Sequence, residues 1–157
     1  MIIISIDPGY ERLGIAVLEK KPKSKDLLIY SECFKTSAKL THHERLTLIG
    51  NKVKEVIKKY KPEALAIETL FFSTNQKTVM AVAEARGTLV YCASSLGLNV
   101  YEYTPLQVKI AVTGYGRSEK SQVIAMVKRL INRDQNKKSD DEFDAVAIGL
   151  THLASVR

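Results

Sequence analysis

The sequence predicts a single α/β domain over residues 1–157, with a five-stranded mixed sheet of three antiparallel and two parallel strands. Three observations lead to this prediction. Short β-rich runs are concentrated before residue 36, whereas helical and strand patterns alternate after Thr41. No repeat and no long linker divides the chain. Its length of 157 residues also allows one well-buried core.

The strands are predicted from five short apolar or β-branched runs, in chain order IIISI, GIAVLEK, LLIYSECF, ALAIE and LNVYEYT. The turn DPGYERLG and the loop KPKSKD separate the first three runs, which indicates an antiparallel meander. The run ALAI is wholly apolar, as expected of a strand that is covered on both faces. The sheet should therefore combine an antiparallel half with buried parallel strands.

The helices are predicted from apolar residues at helical spacing. The first should cover residues 41–60, and three others contain Ala81–Ala93, Val123–Leu130 and Phe143–Ala154. Thr104-Pro105 is a favourable N-cap and first-turn pair for an additional short helix. The last helix should begin near Asp141 and place Ala154 on its apolar face. The other side of that helix would carry Asp141 and Asp144.

The charge of the chain indicates an anionic partner. Its net charge is +7 and its pI is about 9.4, which admits nucleic acid, an acidic membrane surface or an acidic protein. The basic residues are spread over several segments, which suits a broad binding face or an ordinary solvated surface. The polar segment INRDQNKKSD at 131–140 is expected to be mobile.

Several classes of protein are excluded by the same composition. No apolar run approaches the roughly 20 residues that cross a bilayer. The N-terminus MIIISIDPGY lacks the features of a signal peptide, so we expect a cytoplasmic protein without a membrane partner. Cys33 and Cys92 have neither CxxC spacing nor a neighbouring histidine, and we expect two buried thiols without chemistry.

Four carboxylates are the candidate functional residues. Asp7 and Glu68 each close an apolar strand, and Asp141 and Asp144 open the last helix. Each also has a simpler explanation, since acids occur at strand exits and in first helical turns. If all four converge, their mutual repulsion requires divalent cations. A basic chain with such a cluster is typical of a nuclease that holds a polyanion and cuts it with metal ions.

These acids lie within segments that resemble, in order and spacing, the RuvC family of bacterial crossover junction endodeoxyribonucleases. The segments are SIDPGY, AIETLFF, EARG, YEYTPLQVK, VTGYGRSEKSQV and DEFDAVAIGLTH. The resemblance implies a ribonuclease-H-like fold and Mg-dependent, symmetric nicking of four-way Holliday junctions in recombination and repair, which leaves 5′-phosphate and 3′-hydroxyl ends. It also implies RuvA and RuvB, the branch-migration complex, as partners. A homodimer is implied too, and a twofold substrate favours one independently.

The resemblance also implies the roles of the acids. By position, the family's catalytic and metal-binding acids fall on Asp7, Glu68, Asp141 and Asp144. They would hold two Mg²⁺ ions per subunit, for which Mn²⁺ can substitute, with Asp7 bridging both. The third acid is histidine in some family members, so Asp140 remains an alternative to Asp141.

Other residues are implied to bind DNA. Lys109 and Lys120 match family lysines that contact the DNA backbone near the scissile phosphate. The aromatic residue implied to stack on unpaired bases aligns with Phe71, whereas Phe72 suits a core or dimer contact. Arg117 belongs to the basic segment beside Lys120 and is included as a DNA contact. Isolated lysines and arginines of this kind would also suit solvated surface.

Three further residues or segments have open interpretations. Arg86 lies on the helix that the resemblance assigns to the dimer face, and the alternative is a capping or core-edge role. The Gly114-Tyr115-Gly116 loop could follow a phosphate backbone, although such a loop is weak evidence. His152 is interpreted as a packing residue rather than a metal ligand.

Three other functions compete with the resolvase hypothesis. They are a YqgF-type nuclease acting on RNA, a nucleotide-binding domain of the actin and sugar-kinase type, and a catalytically inert junction-binding protein. The resemblance over nearly the whole chain, the presence of one domain rather than two, and the intact acids argue against them in turn. One departure is local. The turn over residues 10–14 reads YERLG, where the family commonly has a stretch ending in Thr-Gly-Trp or Thr-Gly-Tyr.

Overall fold

The computed structural model describes residues 1–70, 76–131 and 139–156, and the side chains of all of these except 76 and 77. Its elements are β1 (Ile2–Asp7), β2 (Arg12–Glu19), β3 (Leu27–Lys35), α1 (His42–Tyr60), β4 (Ala64–Glu68), α2 (Gln76–Ser95), β5 (Asn99–Tyr103), α3 (Pro105–Thr113), α4 (Lys120–Leu130) and α5 (Asp140–Ser155). The predicted DNA contact of Phe71, the predicted packing of Phe72, and most of the segment predicted to be mobile lie outside the described residues.

The five strands form one sheet in the order β3-β2-β1-β4-β5. β1, β2 and β3 pair antiparallel, whereas β4 is parallel to both β1 and β5. This confirms the predicted mixed sheet. β2 begins two residues earlier than predicted. Its pairing with β1 ends at Gly14, opposite Asp7, but its pairing with β3 continues to Arg12. The connection between β1 and β2 is therefore only four residues long, at 8–11.

The sheet separates two hydrophobic cores. α1 and α2 pack on one face, and α3, α4 and α5 pack on the other. β1 serves both cores because its side chains alternate: Ile3 points to the α5 face, while Ile4 and Ile6 point to the α1 face. In the part of the chain described, no helix combines the length and apolar character that spanning a bilayer needs.

α5 lies directly against the antiparallel half of the sheet. Within α5, the carbonyl oxygen of Ala145 accepts a hydrogen bond from the Ser5 hydroxyl at 2.7 Å. At its C-terminal end, Lys20 donates to the carbonyl oxygens of Leu153 and Val156. The predicted apolar position Ala154 is exposed, because Leu150 and Leu153 occupy the core-facing positions at this end of α5. These contacts fix the position of α5 along β1 and β2.

Replacing Gly149 with alanine should destabilise the protein by about 1–3 kcal/mol. A Cβ at this position would lie 2.5 Å from Leu18 Cδ1 and 2.7 Å from Ser5 Oγ, so α5 would have to move away from the sheet. Thermal unfolding measures the change. Gly87→Ala is the matched control, because a Cβ on Gly87 meets nothing within 4 Å and should stabilise α2 by about 0.5–1 kcal/mol. Equal shifts in the two variants would contradict the prediction.

Candidate active site

Two carboxylates meet at the carboxyl edge of the parallel strands. Asp7 is the last residue of β1 and Glu68 is the last residue of β4. The register pairs Ile6 with Ile67, which places the two acids side by side. Each of the two carboxyl groups is close enough to alter the pKa of the other. The adjacent ends of β1 and β4 thus bring together two of the acids singled out from the sequence.

The acids perturb one another strongly. Burial, together with the negative charges of Glu68, Asp144 and Asp141, raises the pKa of Asp7 from its ordinary value of 3.8 to about 8. Burial and the charge of Asp144 also raise the pKa of Glu68. A pKa of about 8 for Asp7 means that the Asp7–Glu68 pair holds a proton at neutral pH when no cation is bound.

The N-terminal half of α5 supplies the third acid. Ser139 caps this helix by accepting a hydrogen bond from the backbone N–H of Glu142. Asp144 lies one turn further on, and its Oδ2 accepts a hydrogen bond from Lys120 Nζ at 3.0 Å. Burial raises the pKa of Asp144 although Lys120 acts in the opposite direction. Asp140 is more exposed and forms a longer contact with Lys120, at 3.5 Å.

Asp141 faces a different neighbour from Asp144. Its Oδ2 accepts hydrogen bonds from Arg12 Nε at 2.9 Å and Nη2 at 2.6 Å, and from Cys33 Sγ at 3.5 Å. Burial tends to raise the pKa of Asp141, but the bonds from Arg12 and Cys33 outweigh it and hold this pKa below its usual range. Cys33 is half-buried and contacts a candidate acid, whereas the sequence predicted a buried thiol without a role.

Asp7, Glu68 and Asp144 line one cleft of about 320 Å³. Its polar wall consists of Asp7, Glu68, Asp144, Lys109 and Lys120, and Asp141 is not part of it. Its apolar floor consists of Pro105, Val108, Val123, Ala147 and Ile148. Among the predicted DNA contacts, Lys109 and Lys120 therefore lie at the acids, whereas Arg117 is exposed in the turn between α3 and α4.

The arrangement of the acids depends on residues that sequence reasoning either missed or interpreted differently. Gly14 lies beside the first turn of α5, where an added Cβ would be 2.2 Å from the carbonyl oxygen of Asp141 and 3.2 Å from Asp7 Cβ. Arg86 Nε donates to the carbonyl oxygen of Glu68 at 3.0 Å, and its guanidinium also pairs with Glu102. Arg86 therefore braces the end of β4. Of these contacts, only the approach of Gly14 to Asp7 could have been inferred from the sequence, because the two residues face each other in the predicted hairpin.

The loop after α3 is closed by hydroxyl groups. Thr113 Oγ1 lies 2.6 Å from Ser118 Oγ, and Ser118 donates to the carbonyl oxygen of Tyr115 at 2.7 Å. Ser118 is buried. This network sets the separation between α3, which carries Lys109, and α4, which begins at Lys120. The side walls of the cleft are therefore connected through a short, internally bonded loop.

His152 lies away from the acids. Its ring is fully buried, its Nδ1 is 2.8 Å from the hydroxyl of Tyr103, and its ring centroid is 4.5 Å from that of Tyr101. Burial lowers the pKa of His152, with a smaller effect of Lys20 in the same direction. It packs α5 on β5, at the opposite end of the helix from Asp144.

The chemistry of the acids fits divalent cations. Asp7, Glu68 and Asp144 line one cleft, and their negative charges repel one another. Carboxylate oxygens are the ligands that Mg²⁺ prefers. Within the described residues, no three side chains are already arranged as metal ligands. Without a cation, the acids are offset by the proton on the Asp7–Glu68 pair, by Lys120 beside Asp144 and by the Arg12 guanidinium on Asp141. A cation in the cleft would replace the shared proton.

The chain is similar to known proteins in sequence and in fold. The sequence model of the family described as crossover junction endodeoxyribonuclease RuvC matches residues 3–152. The RuvC of Halothermothrix orenii is 43% identical over 157 residues, which is 100% of this chain and 94% of that protein. The RuvC of Alkaliphilus metalliredigens is 45% identical over 155 residues, covering 99% and 94%. A solved structure of T. thermophilus RuvC with a Holliday junction substrate superposes with a TM-score of 0.91 at 36% identity, covering 97% and 92%.

Proposed function

Because the chain belongs to the RuvC family of crossover junction endodeoxyribonucleases, whose fold is ribonuclease-H-like, we propose that residues 1–157 act as one resolvase domain with Asp7, Glu68, Asp141 and Asp144 as its catalytic acids. The protein is a metal-dependent nuclease of DNA recombination and repair. Its substrate is the four-way Holliday junction, which it resolves by nicking two strands symmetrically to leave 5′-phosphate and 3′-hydroxyl ends.

One observation carries the assignment of the active site. Asp7, Glu68, Asp144 and two lysines share a single cleft on a chain of net charge +7. Acids alone would repel a nucleic acid, and lysines alone would bind it without cutting. Their juxtaposition supports a site that holds a phosphodiester against hard cations.

The proposed cofactor is a pair of Mg²⁺ ions per subunit, with Mn²⁺ as a substitute. Asp7 is flanked by Glu68 within the sheet and by Asp144 on α5, which favours Asp7 as the ligand common to both ions. Asp141 would complete the set. When bound, such cations activate a water for in-line attack on phosphorus and stabilise the departing 3′ oxygen. Asp7 and Glu68 must lose their shared proton to accept them.

The lysines are proposed to hold the substrate. Lys109 on α3 and Lys120 on α4 both line the cleft, so a phosphate that enters the cleft meets two cations. Their charge also offsets the negative charge that develops on the phosphate in the transition state. Arg117, exposed between them in sequence, is proposed to contact the backbone further out, and Phe71 to stack on an unpaired base.

The partners follow from the symmetry of the substrate. A junction presents two equivalent strands, and a homodimer with twofold symmetry presents two equivalent clefts to them. We therefore propose a homodimer that works with the branch-migration complex of RuvA and RuvB in the cytoplasm, where chromosomal junctions arise in bacteria.

The proposal is tested by offering the wild-type protein a labelled mobile four-way junction, a linear duplex, an RNA–DNA hybrid and a structured RNA, each with Mg²⁺ and with EDTA. We expect paired nicks on the junction alone, only with Mg²⁺, and ends that a ligase seals without further processing. Glu68→Gln in the same assay should bind the junction and fail to cut it, because a neutral amide is a poor ligand for a hard cation.

Other results would assign the protein differently. Preferential cutting of RNA or of the hybrid would place it among RNA-directed nucleases of the same fold. Tight junction binding without any cutting by the wild type would indicate a binding protein. Cutting that persists in EDTA would remove the metal from the mechanism.

A further inference from the structure

Asp141 is occupied by donors from its own chain. A single oxygen, Oδ2, accepts two hydrogen bonds from the guanidinium of Arg12 and one from the thiol of Cys33. Both donors lie on β2 and β3, and neither they nor Asp141 line the cleft. Asp141 is nevertheless near Asp7, because a Cβ on Gly14 would be 2.2 Å from the carbonyl oxygen of Asp141 and 3.2 Å from Asp7 Cβ. The negative charge of Asp141 accordingly helps to raise the pKa of Asp7.

The Arg12–Asp141 ion pair is weak enough to exchange. The Arg12 side chain is 50% exposed and the Asp141 side chain 23% exposed. Arg12 also uses both of its bonding nitrogens on one oxygen, rather than forming two parallel bonds to both oxygens of the carboxylate. Ion pairs with one partner in solvent contribute little net free energy, so a divalent cation can compete for the same oxygen.

We propose that Arg12 is a positioning residue that competes with a divalent cation for the carboxylate of Asp141. In the free protein Arg12 holds Asp141 out of the cleft, and Asp141 joins the cation site only when Arg12 releases it. The inference rests on the proposed function, because it requires the cleft to bind cations.

Direct cation binding tests the competition without measuring cleavage. Mn²⁺ binding is titrated by electron paramagnetic resonance for the wild type, Arg12→Gln, Asp141→Asn, the double variant, Arg12→Lys and Asp7→Asn. We expect Arg12→Gln to bind Mn²⁺ up to about fivefold more tightly, the range set by an exposed ion pair. In the Asp141→Asn background, Arg12→Gln should have no effect. Arg12→Lys keeps the charge and one donor group, and should stay close to the wild type.

The double variant separates competition from a general charge effect. If Arg12→Gln tightens Mn²⁺ binding equally with and without the Asp141 carboxylate, the cause is the loss of a positive charge, and the proposal is overturned. Unchanged or weaker binding in Arg12→Gln also overturns it. Lys21→Gln is the matched control, since Lys21 pairs with Glu19 at the far end of β2 and its removal also changes net charge by one.

An error in the proposed cation site and an error in the role of Arg12 would give different results. If the wild type binds no Mn²⁺, or if Asp7→Asn leaves binding unchanged, the proposed cation site itself is wrong. If Asp7→Asn abolishes binding but Arg12→Gln has no effect, only the role of Arg12 is wrong. Thermal unfolding of each variant identifies one that fails to fold, in which case Arg12→Met in place of Arg12→Gln decides the outcome.

Discussion

Replacing Asp7 with asparagine is expected to slow junction cleavage by at least about a thousandfold. A metal ligand shared by two cations contributes several kcal/mol to stabilisation of the transition state, and each 1.36 kcal/mol corresponds to about a factor of ten in rate. Junction binding should not weaken, because the substitution removes a negative charge from a site that faces a polyanion. Single-turnover cleavage and a gel-shift titration of the same preparation measure the two quantities.

The same variant should stabilise the protein when divalent cations are absent. The pKa of Asp7 is about 8 in the folded chain, above its ordinary value of 3.8. A raised folded pKa gives stability that is present below pH 3.8 and is lost as the pH rises towards 8. Asparagine has no proton to lose. Its advantage should therefore be small near pH 4 and grow towards pH 8, reaching at least about 1 kcal/mol, or about 2–4 °C in Tm.

Two outcomes would contradict the role of Asp7. Cleavage within about tenfold of the wild type would show that Asp7 contributes less than about 1.4 kcal/mol to catalysis, too little for a shared metal ligand. A lower Tm in EDTA across the whole pH range would show that Asp7 stabilises the fold, as an ordinary hydrogen-bonded turn residue does. Asp26→Asn is a matched control, since Asp26 lies outside the cleft, at the other end of the β2–β3 hairpin.

Gly14→Ala should give the second large effect. The added Cβ would be 2.2 Å from the carbonyl oxygen and 2.9 Å from the carbonyl carbon of Asp141, so the N-terminal end of α5 must move away from β2. A displacement of about 1 Å at a reacting centre costs about a hundredfold in rate. We therefore expect cleavage to fall at least about a hundredfold, while overpacking lowers the free energy of unfolding by about 1–3 kcal/mol.

Backbone contact makes this prediction specific. The two nearest atoms to the new Cβ belong to the main chain of Asp141, so truncating the side chain of Asp141 cannot relieve the clash. Gly14→Ala combined with Asp141→Ala should therefore remain as unstable as Gly14→Ala alone. Recovery of Tm in the double variant would show that side-chain crowding is the cause. Wild-type cleavage by Gly14→Ala would show that the position of α5 does not matter to the reaction.

Most of the fold was predictable because each element carries its own local pattern. The helical spacing predicted α1, and the Thr104-Pro105 pair predicted the start of α3; both are confirmed. The exposure of Ala154 was missed, because helical spacing alone does not show how wide the buried face of α5 is. The burial of Arg45 was missed for a similar reason. Its guanidinium packs 3.8 Å from the ring centre of Tyr10, a partner 35 residues away.

The candidate site was predictable to a smaller extent. The convergence of Asp7 and Glu68 followed from one rule, that parallel neighbouring strands end at the same edge of a sheet. No rule of this kind relates Arg12, Cys33 and Asp141, which are separated by more than a hundred residues between the antiparallel strands and α5. The sequence pattern also placed Asp141 and Asp144 together, whereas in the fold Asp144 lines the cleft and Asp141 pairs with Arg12.

By itself, the sequence determined the order of the elements, the alternation that buries both faces of the sheet, and the set of acidic and basic residues that a metal-dependent nuclease needs. These are local properties, because they depend on spacing and residue type along the chain. Only the tertiary structure decided which acid shares a proton, which acid is held by an arginine, and how closely α5 approaches Gly14. Those properties depend on strand register and helix position, which arise when distant segments pack and which no single segment encodes.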